Sequence, residues 1–431
     1  MKISHSARRR YLFLQGCTSP FFARLGDRLR DDGHEVYRLN FNAGDALYWW
    51  RRPAWHFRAS VAELAGYLEQ LFGKYNFTDV VMLGDTRPVN AEALPVARRL
   101  GARIHVLEEG YIRPNWLTLE EGGINGNSPL PRDPDWYREA VRLIPDYGDG
   151  EAIANPVRLL ALHELGYHLP NALNFLLYPG YQTHRPHSSP VELYGWALRF
   201  ARMPWYRRCD RAKVGALLGE GLPFFVLPLQ LNSDAQIHTH SNVGDMPGVL
   251  QRVVESFFCH APAEARLVIK NHPLDTGFAQ YPNWIRSLER RYGEYGRLVY
   301  LESGHLPTIL DYAQGVVTVN SSVGPSALLH RCPVVALGAA VYDLPGLTFQ
   351  GLLDDFWTQG EPADRILFHA FRRTVVHVSQ INGGFYTGRG IELGTDRARL
   401  RLERDQSPLD ALLEATHGNA AGMRGAVMAA E

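Results

Sequence analysis

The chain has 431 residues, 45% hydrophobic and 21% charged, which excludes wholesale disorder and exceeds one ordinary core, so two domains are expected. Lys+Arg and Asp+Glu both number 45, and this formal neutrality argues against a general nucleic-acid binder. Cys17, Cys209, Cys259 and Cys332 are scattered without a CxxC, which suggests neither a disulfide framework nor a zinc site and fits a reducing compartment.

Arg8-Arg9-Arg10 before Tyr11–Cys17 mimics a lipoprotein signal, but the apolar run is too short for export and continues as a βα unit. Tyr11–Leu14 reads as a strand, Phe21–Arg30 as an amphipathic helix and Glu35–Phe41 as a second strand. Helix Ser60–Tyr75 and strands Asp79–Leu83 and Ile104–Leu107 follow. This alternation points to a parallel, doubly wound sheet. From Asn125 to about Pro190 the pattern loosens into long loops with helices such as Pro156–Tyr167 and Leu169–Leu177.

A second βα series begins at Pro223. Its strands are Phe224–Leu229, Leu267–Lys270, Leu298–Leu301, Val316–Val319 and Val334–Leu337. Its helices are Pro247–Cys259, Tyr281–Tyr292 and Pro325–His330. With helices Ala363–Val378 and Arg397–Thr416 behind it, the whole reads as α/β and GT-B-like: two Rossmann-like domains facing a central cleft. The expected division is 1–200, 201–362, and C-terminal helices with a fraying tail over 363–431. No stretch approaches the about 20 apolar residues of a membrane span, so any membrane contact is expected to be peripheral.

Three motifs sit where strands run out into loops, the edge at which open α/β sheets bind ligands. In Leu107-Glu108-Glu109-Gly110-Tyr111 two acids end a strand before a glycine suited to a tight turn. Adjacent buried carboxylates raise each other's pKa, which suits a general acid/base; an isolated Glu-Glu more often describes two solvated acids. In Lys270-Asn271-His272-Pro273 a strand-end histidine can donate to a phosphate oxygen, or be a loop histidine without a role. Asn320-Ser321-Ser322-Val323-Gly324-Pro325 runs from strand into helix, a place for an anion or for simple capping by Ser322.

Gln230 and Asp234 leave the first strand of the second half. A carboxylate at Asp234 could attack an anomeric carbon, although spacing alone favours an Asx-turn or cap. Asp133-Pro134-Asp135 is not at a strand end and is rejected as a sugar-nucleotide metal site. No GxGxxG follows the opening strand, and His238-Thr239-His240 lacks a third ligand. Two aromatic–basic stretches, Tyr48–Arg58 and Arg199–Lys213 with Trp205, Tyr206, Arg207 and Arg208, suit either a lipid headgroup interface or a packed seam.

Taken together and in order, these residues resemble the capsule polysaccharide biosynthesis family, in particular its KpsS/LipB-type β-Kdo transferases, over about residues 10–360. The N-terminal likeness lies in Phe13-Leu14-Gln15-Gly16, Asn40–Asp45 and Gly84-Asp85-Thr86-Arg87-Pro88. The signature is Glu108-Glu109-Gly110-Tyr111-Ile112-Arg113-Pro114 with the His-Pro and Ser-Ser segments, a set also similar to that of bacterial sialyltransferases.

The resemblance implies a glycosyltransferase that binds CMP-Kdo through His272 and Ser321-Ser322, with neither metal nor cofactor. Asp234 would be the nucleophile, although Ala235-Gln236 stands where that family usually has Ala-Ser. Glu109 would be the base and His272 would stabilise the leaving CMP. Gln230, Lys270, Asn271, Glu108, Gly110, Arg113, Gly16, Asp85 and Arg87 would line the substrates. The acceptor expected is a lipid of phosphatidylglycerol type, the place the inner face of the inner membrane, and the partners other capsule synthesis or export proteins. The alternatives are an inverting CMP-sialic-acid-type transferase and a non-catalytic assembly or export subunit.

Overall fold

The computed structural model describes residues 8–183, 187–231 and 245–428. Among them the strands are β1 (Arg10–Phe13), β2 (Glu35–Asn40), β3 (Trp55–His56), β4 (Asp79–Leu83), β5 (Arg103–Glu109), β6 (Trp116–Glu121), β7 (Phe224–Pro228), β8 (Arg266–Lys270), β9 (Leu298–Leu301), β10 (Gly315–Thr318), β11 (Val334–Ala336) and β12 (Gln380–Asn382). The chain divides into two compact units, Met1–His184 with His369–Glu431, and Arg185–Phe368. Both are α/β and both are built on parallel strands, as expected of two Rossmann-like halves.

The first unit's sheet runs β12-β6-β5-β4-β1-β2-β3. It is parallel from β3 to β5, while β6 pairs antiparallel with both β5 and β12. Side-chain alternation along the strands fills two cores. Leu12, Val80, Met82, Ile104 and Val106 meet Leu64, Leu68, Ala93 and Leu94 on one face. Tyr11, Phe13, Val81, Leu83 and Leu107 meet Phe21, Leu25, Ile391 and Ala398 on the other. Strands buried on both sides are continuous apolar runs, which is why β1 and β4 are legible in the sequence.

The second unit's sheet is wholly parallel, in the order β11-β10-β7-β8-β9. Its core joins Phe225, Leu227, Leu267 and Ile269 to Val249, Val253, Phe257, Ile285 and Trp357 from the flanking helices.

Three features differ from expectation. Helix Ser189–Glu220 runs unbroken through the expected boundary at 200/201, so the units part near residue 184. Residues from His369 onward belong to the first unit, where β12 adds an edge strand, instead of forming a separate tail. The expected helix Arg397–Thr416 is two helices, Gly388–Leu402 and Pro408–Met428. The second starts where Ser407 Oγ accepts the Asp410 N–H (3.0 Å), with Pro408 in the first helical position, where its missing donor costs nothing. Among the described residues no helix is long and apolar enough to cross a membrane.

Candidate active site

In the second unit the exits of β8, β7 and β10 lie side by side. At a strand spacing of about 4.8 Å, the β8 and β10 exits are about 10 Å apart. Gln230, leaving β7, is buried and bonds reciprocally to Asn320: its Nε2 donates to Asn320 Oδ1 (2.9 Å) and its Oε1 accepts the Asn320 N–H (3.3 Å). Gln230 thereby ties the β7 and β10 exits together. Asp234, six residues beyond β7, and His238-Thr239-His240 lie outside the described residues.

The β8 exit is held from three sides. Asn271 is buried; its Nδ2 donates to Glu302 Oε2 (3.0 Å) and Asp275 Oδ1 (3.3 Å), while its Oδ1 accepts the His272 N–H (2.8 Å). The N–H of Leu274 donates to His272 Nδ1 (3.1 Å). A backbone amide can only donate, so Nδ1 of the neutral ring is the acceptor and Nε2 carries the proton. Lys270, at the end of β8, has its pKa lowered, first by burial and then by Arg199.

That arginine comes from helix Ser189–Glu220. Buried Arg199 reaches Glu302 (3.0 Å) and Asp275 (3.2 Å) and donates to the His272 carbonyl (3.2 Å). Trp196 Nε1 donates to the Leu274 carbonyl (3.0 Å). The sequence marks Arg199 only as part of an aromatic–basic stretch, and its ties to the histidine loop emerge only in the fold. The same helix anchors Asp210 to Ser303 and Lys213 to the Tyr300 carbonyl. Trp205, Arg207 and Arg208 remain exposed, so only part of this stretch is a packed seam.

At the β10 exit the helix is Val323–Leu329, only seven residues, and Ser322 makes no capping hydrogen bond. Ser321 takes that part: its Oγ accepts the Val323 N–H (3.2 Å) and its carbonyl the Gly324 N–H (2.9 Å). Two amides expected to cradle an anion are thus occupied, and the half-buried Ser322 hydroxyl is the polar group left uncommitted to the cap.

In the first unit Glu108 and Glu109 end β5 half-buried. The strand pleat sends neighbouring side chains to opposite faces, so they are neither a side-by-side buried pair nor two fully solvated acids. Glu108 Oε2 lies against Gly84, while Glu109 is near enough to Tyr386 to help burial push that phenol's pKa up. Gly110 is required for close approach: a Cβ there would meet the Trp116 carbonyl oxygen at 2.2 Å. Gln380 of β12 braces the turn, accepting the Tyr111 N–H (3.0 Å) and donating to Thr118 (3.1 Å), whose hydroxyl donates to the Glu109 carbonyl (3.2 Å).

Arg87 donates to the Gly16 carbonyl (3.0 Å), joining the β4 and β1 exits. Asp85 is buried and accepts from the Ile124 N–H (3.1 Å) and Asn127 Nδ2 (3.0 Å), so one of its oxygens pins a loop. Arg113 is exposed in the β5–β6 turn. The first aromatic–basic stretch is packed only in part: Trp49 is buried 5.4 Å from the Arg30 and 5.5 Å from the Arg38 guanidinium and Trp55 stacks on Tyr37 at 5.4 Å, while Trp50, Arg51 and Arg58 are exposed. Asp133 caps helix Pro134–Ala140.

A cavity of about 100 Å³ in this unit is lined by His105, Glu120, Ser379 and Arg401, among others. His105 precedes Glu109 by four residues, about 13 Å along β5, so the cavity is not at the strand ends. Both Glu120 oxygens are buried without a hydrogen-bond partner. Burial raises the pKa of this carboxyl to about 8 against the lowering influence of nearby Ser128 and Tyr111.

The family model described as capsule polysaccharide biosynthesis protein matches residues 78–386. The chain is 34% identical to the Escherichia coli capsule polysaccharide export protein KpsS, across 88% of this chain and 97% of that one. It is 35% identical to the capsule polysaccharide modification protein LipB of Neisseria meningitidis serogroup A, across 87% and 91%. Among solved structures it aligns with the Thermosulfurimonas dismutans KpsC β-Kdo 2,7 transferase at 16% identity and a TM-score of 0.42, over 91% of this chain and 99% of that chain.

Proposed function

The chain belongs to the capsule polysaccharide biosynthesis family, and on that premise we propose that it is a retaining glycosyltransferase. In this reading it moves Kdo from CMP-β-Kdo onto a (lyso)phosphatidylglycerol acceptor at the inner face of the inner membrane and so starts a capsule's poly-Kdo linker. The observation that carries the reading is His272. With Nδ1 committed to the Leu274 N–H, the proton sits on Nε2, the form that donates to a phosphate oxygen of departing CMP. The Ser322 hydroxyl supplies a second donor from the neighbouring strand exit.

The Asp234 carboxylate attacks the anomeric carbon as the bond to CMP breaks. Glu109 then takes the proton of the acceptor hydroxyl as that oxygen displaces Asp234, and two inversions give net retention. Incubation with CMP-Kdo and a fluorescent phosphatidylglycerol should yield a Kdo-lipid of β configuration and, without acceptor, a Kdo adduct on Asp234 by intact-protein mass spectrometry. Absence of any Kdo-lipid would refute the reading.

The same carboxylate would serve a second account. Glu109 stands half-buried at the end of β5 beside Tyr386, as a base acting in a single inverting displacement would. An α-configured product with no adduct would establish it.

A further inference from the structure

Helices Val157–Asn171 and Asn174–Leu177 of the first unit are inside out. Their buried side is polar. Thr18 donates to Glu164 (2.7 Å), Asn42 Nδ2 donates to the Tyr167 hydroxyl (2.8 Å), and Asn171 and Asn174 accept the N–H groups of Gly44 (2.7 Å) and Ala43 (3.0 Å). The approach is close enough that a Cβ on Gly44 would meet the Tyr167 carbonyl oxygen at 2.7 Å. The outer side is a row of leucines. Leu162, Leu165, Leu169, Leu173 and Leu176 follow one another at intervals of three or four residues, the spacing of a single helical face. With Phe175 beside them they are 46% to 71% exposed.

A soluble surface rarely leaves such a row uncovered, and its chemistry selects the cover. Between residues 154 and 184 the one acid is Glu164, which is buried on the polar side. Exposed cations accompany the ridge: Arg158 on the helix itself, and Arg51 and Arg58 in the segment that follows helix Ala43–Tyr48, the helix packed against Val157–Asn171. That segment also exposes Trp50, and Trp with Arg suits a headgroup layer. The polar side chains named above are spent inward, so the leucine row offers little to the hydrogen bonds that protein interfaces carry. Leucine is also under-represented among protein hot spots. Hydrocarbon asks for no hydrogen bonds.

We propose that this leucine ridge docks the first unit in the headgroup–acyl boundary of an anionic bilayer. The docking argument stands on the ridge; its use, bringing a lipid acceptor to the strand ends, rests on the function proposed above. Flotation of the full chain with vesicles containing phosphatidylglycerol should show binding that pure phosphatidylcholine vesicles reduce. Leu165→Glu/Leu169→Glu should lower the partition coefficient at least tenfold, and the milder Leu162→Gln/Leu176→Gln should lower it less, both with unchanged circular dichroism.

Equal flotation of wild type and folded variants would overturn the proposal. So would a wild type that ignores vesicles but self-associates through the ridge, becoming monomeric in the variants. Kdo transfer to a water-soluble short-chain acceptor separates the two claims. If docking alone is wrong, both proteins use the short-chain acceptor and float alike. If the function alone is wrong, neither uses it and the flotation difference persists.

Discussion

The strand-end edges of the two units are supported from different distances along the chain. In the second unit the histidine loop is held by Trp196 and Arg199, from the helix just before its first strand, and by Asn271 and Glu302 within the same βα series. In the first, the Glu108-Glu109-Gly110 turn is braced by Gln380, some 270 residues later, on a strand that returns to pair with β6. The second edge has most of its polar groups already bonded to one another and presents a fixed histidine. The first leaves its two carboxylates half-buried. In the function proposed above the second edge holds the ligand and the first moves the proton, and each role can be broken separately.

The largest effect is expected at the first edge. Glu109→Gln should lower kcat by about 10²–10⁴ and leave CMP affinity unchanged; parallel loss of both, by kinetics and calorimetry, would erase the distinction between the edges. At the second edge, Arg199→Met strands Glu302 and Asp275 without their shared cation. It should cost about 3–5 kcal/mol in urea unfolding, whereas a loss confined to CMP binding would make Arg199 a ligand-contacting group.

Behind the first edge, Glu120 offers a pH test. Its carboxyl is raised to about 8 in the fold, so the native state holds a proton that the unfolded chain releases near its ordinary pKa. Stability is then fully present below about pH 4.5 and declines as pH rises toward 8, a loss of about 3 kcal/mol by pH 7. Glu120→Gln should flatten that slope in thermal melts recorded from pH 5 to 8; an identical slope would mean the carboxyl is ionised and solvated. The smallest effect is expected for His272→Ala, which should weaken CMP binding by about 1–3 kcal/mol with the melting temperature preserved. Unchanged affinity would remove the histidine from the donor site.

What the amino-acid sequence determined by itself is the strand framework and which polar residues stand at its exits. β4, β7 and β10 are fully buried and therefore read as unbroken apolar runs, and His272, Ser321 and Glu109 are legible because each follows such a run. Tertiary structure alone decided which groups steady those residues. Ser321 and not Ser322 caps the helix after β10, Asp85 is turned to a loop, and β12 closes on β6 from the far end of the chain.

One helix, and the orientation of another, escaped the sequence for a common reason. Ser189–Glu220, which was not anticipated, and Val157–Asn171, whose orientation was not, bury Glu192, Arg199 and Asp210, and Glu164 and Asn171, while exposing Tyr194, Leu198 and Trp205, and Leu162, Leu165 and Leu169. Hydrophobic periodicity finds a helix by its apolar inner face. Where the inner face is polar, its burial is favourable only once partners far along the chain complete its hydrogen bonds, and those partners exist only in the folded protein.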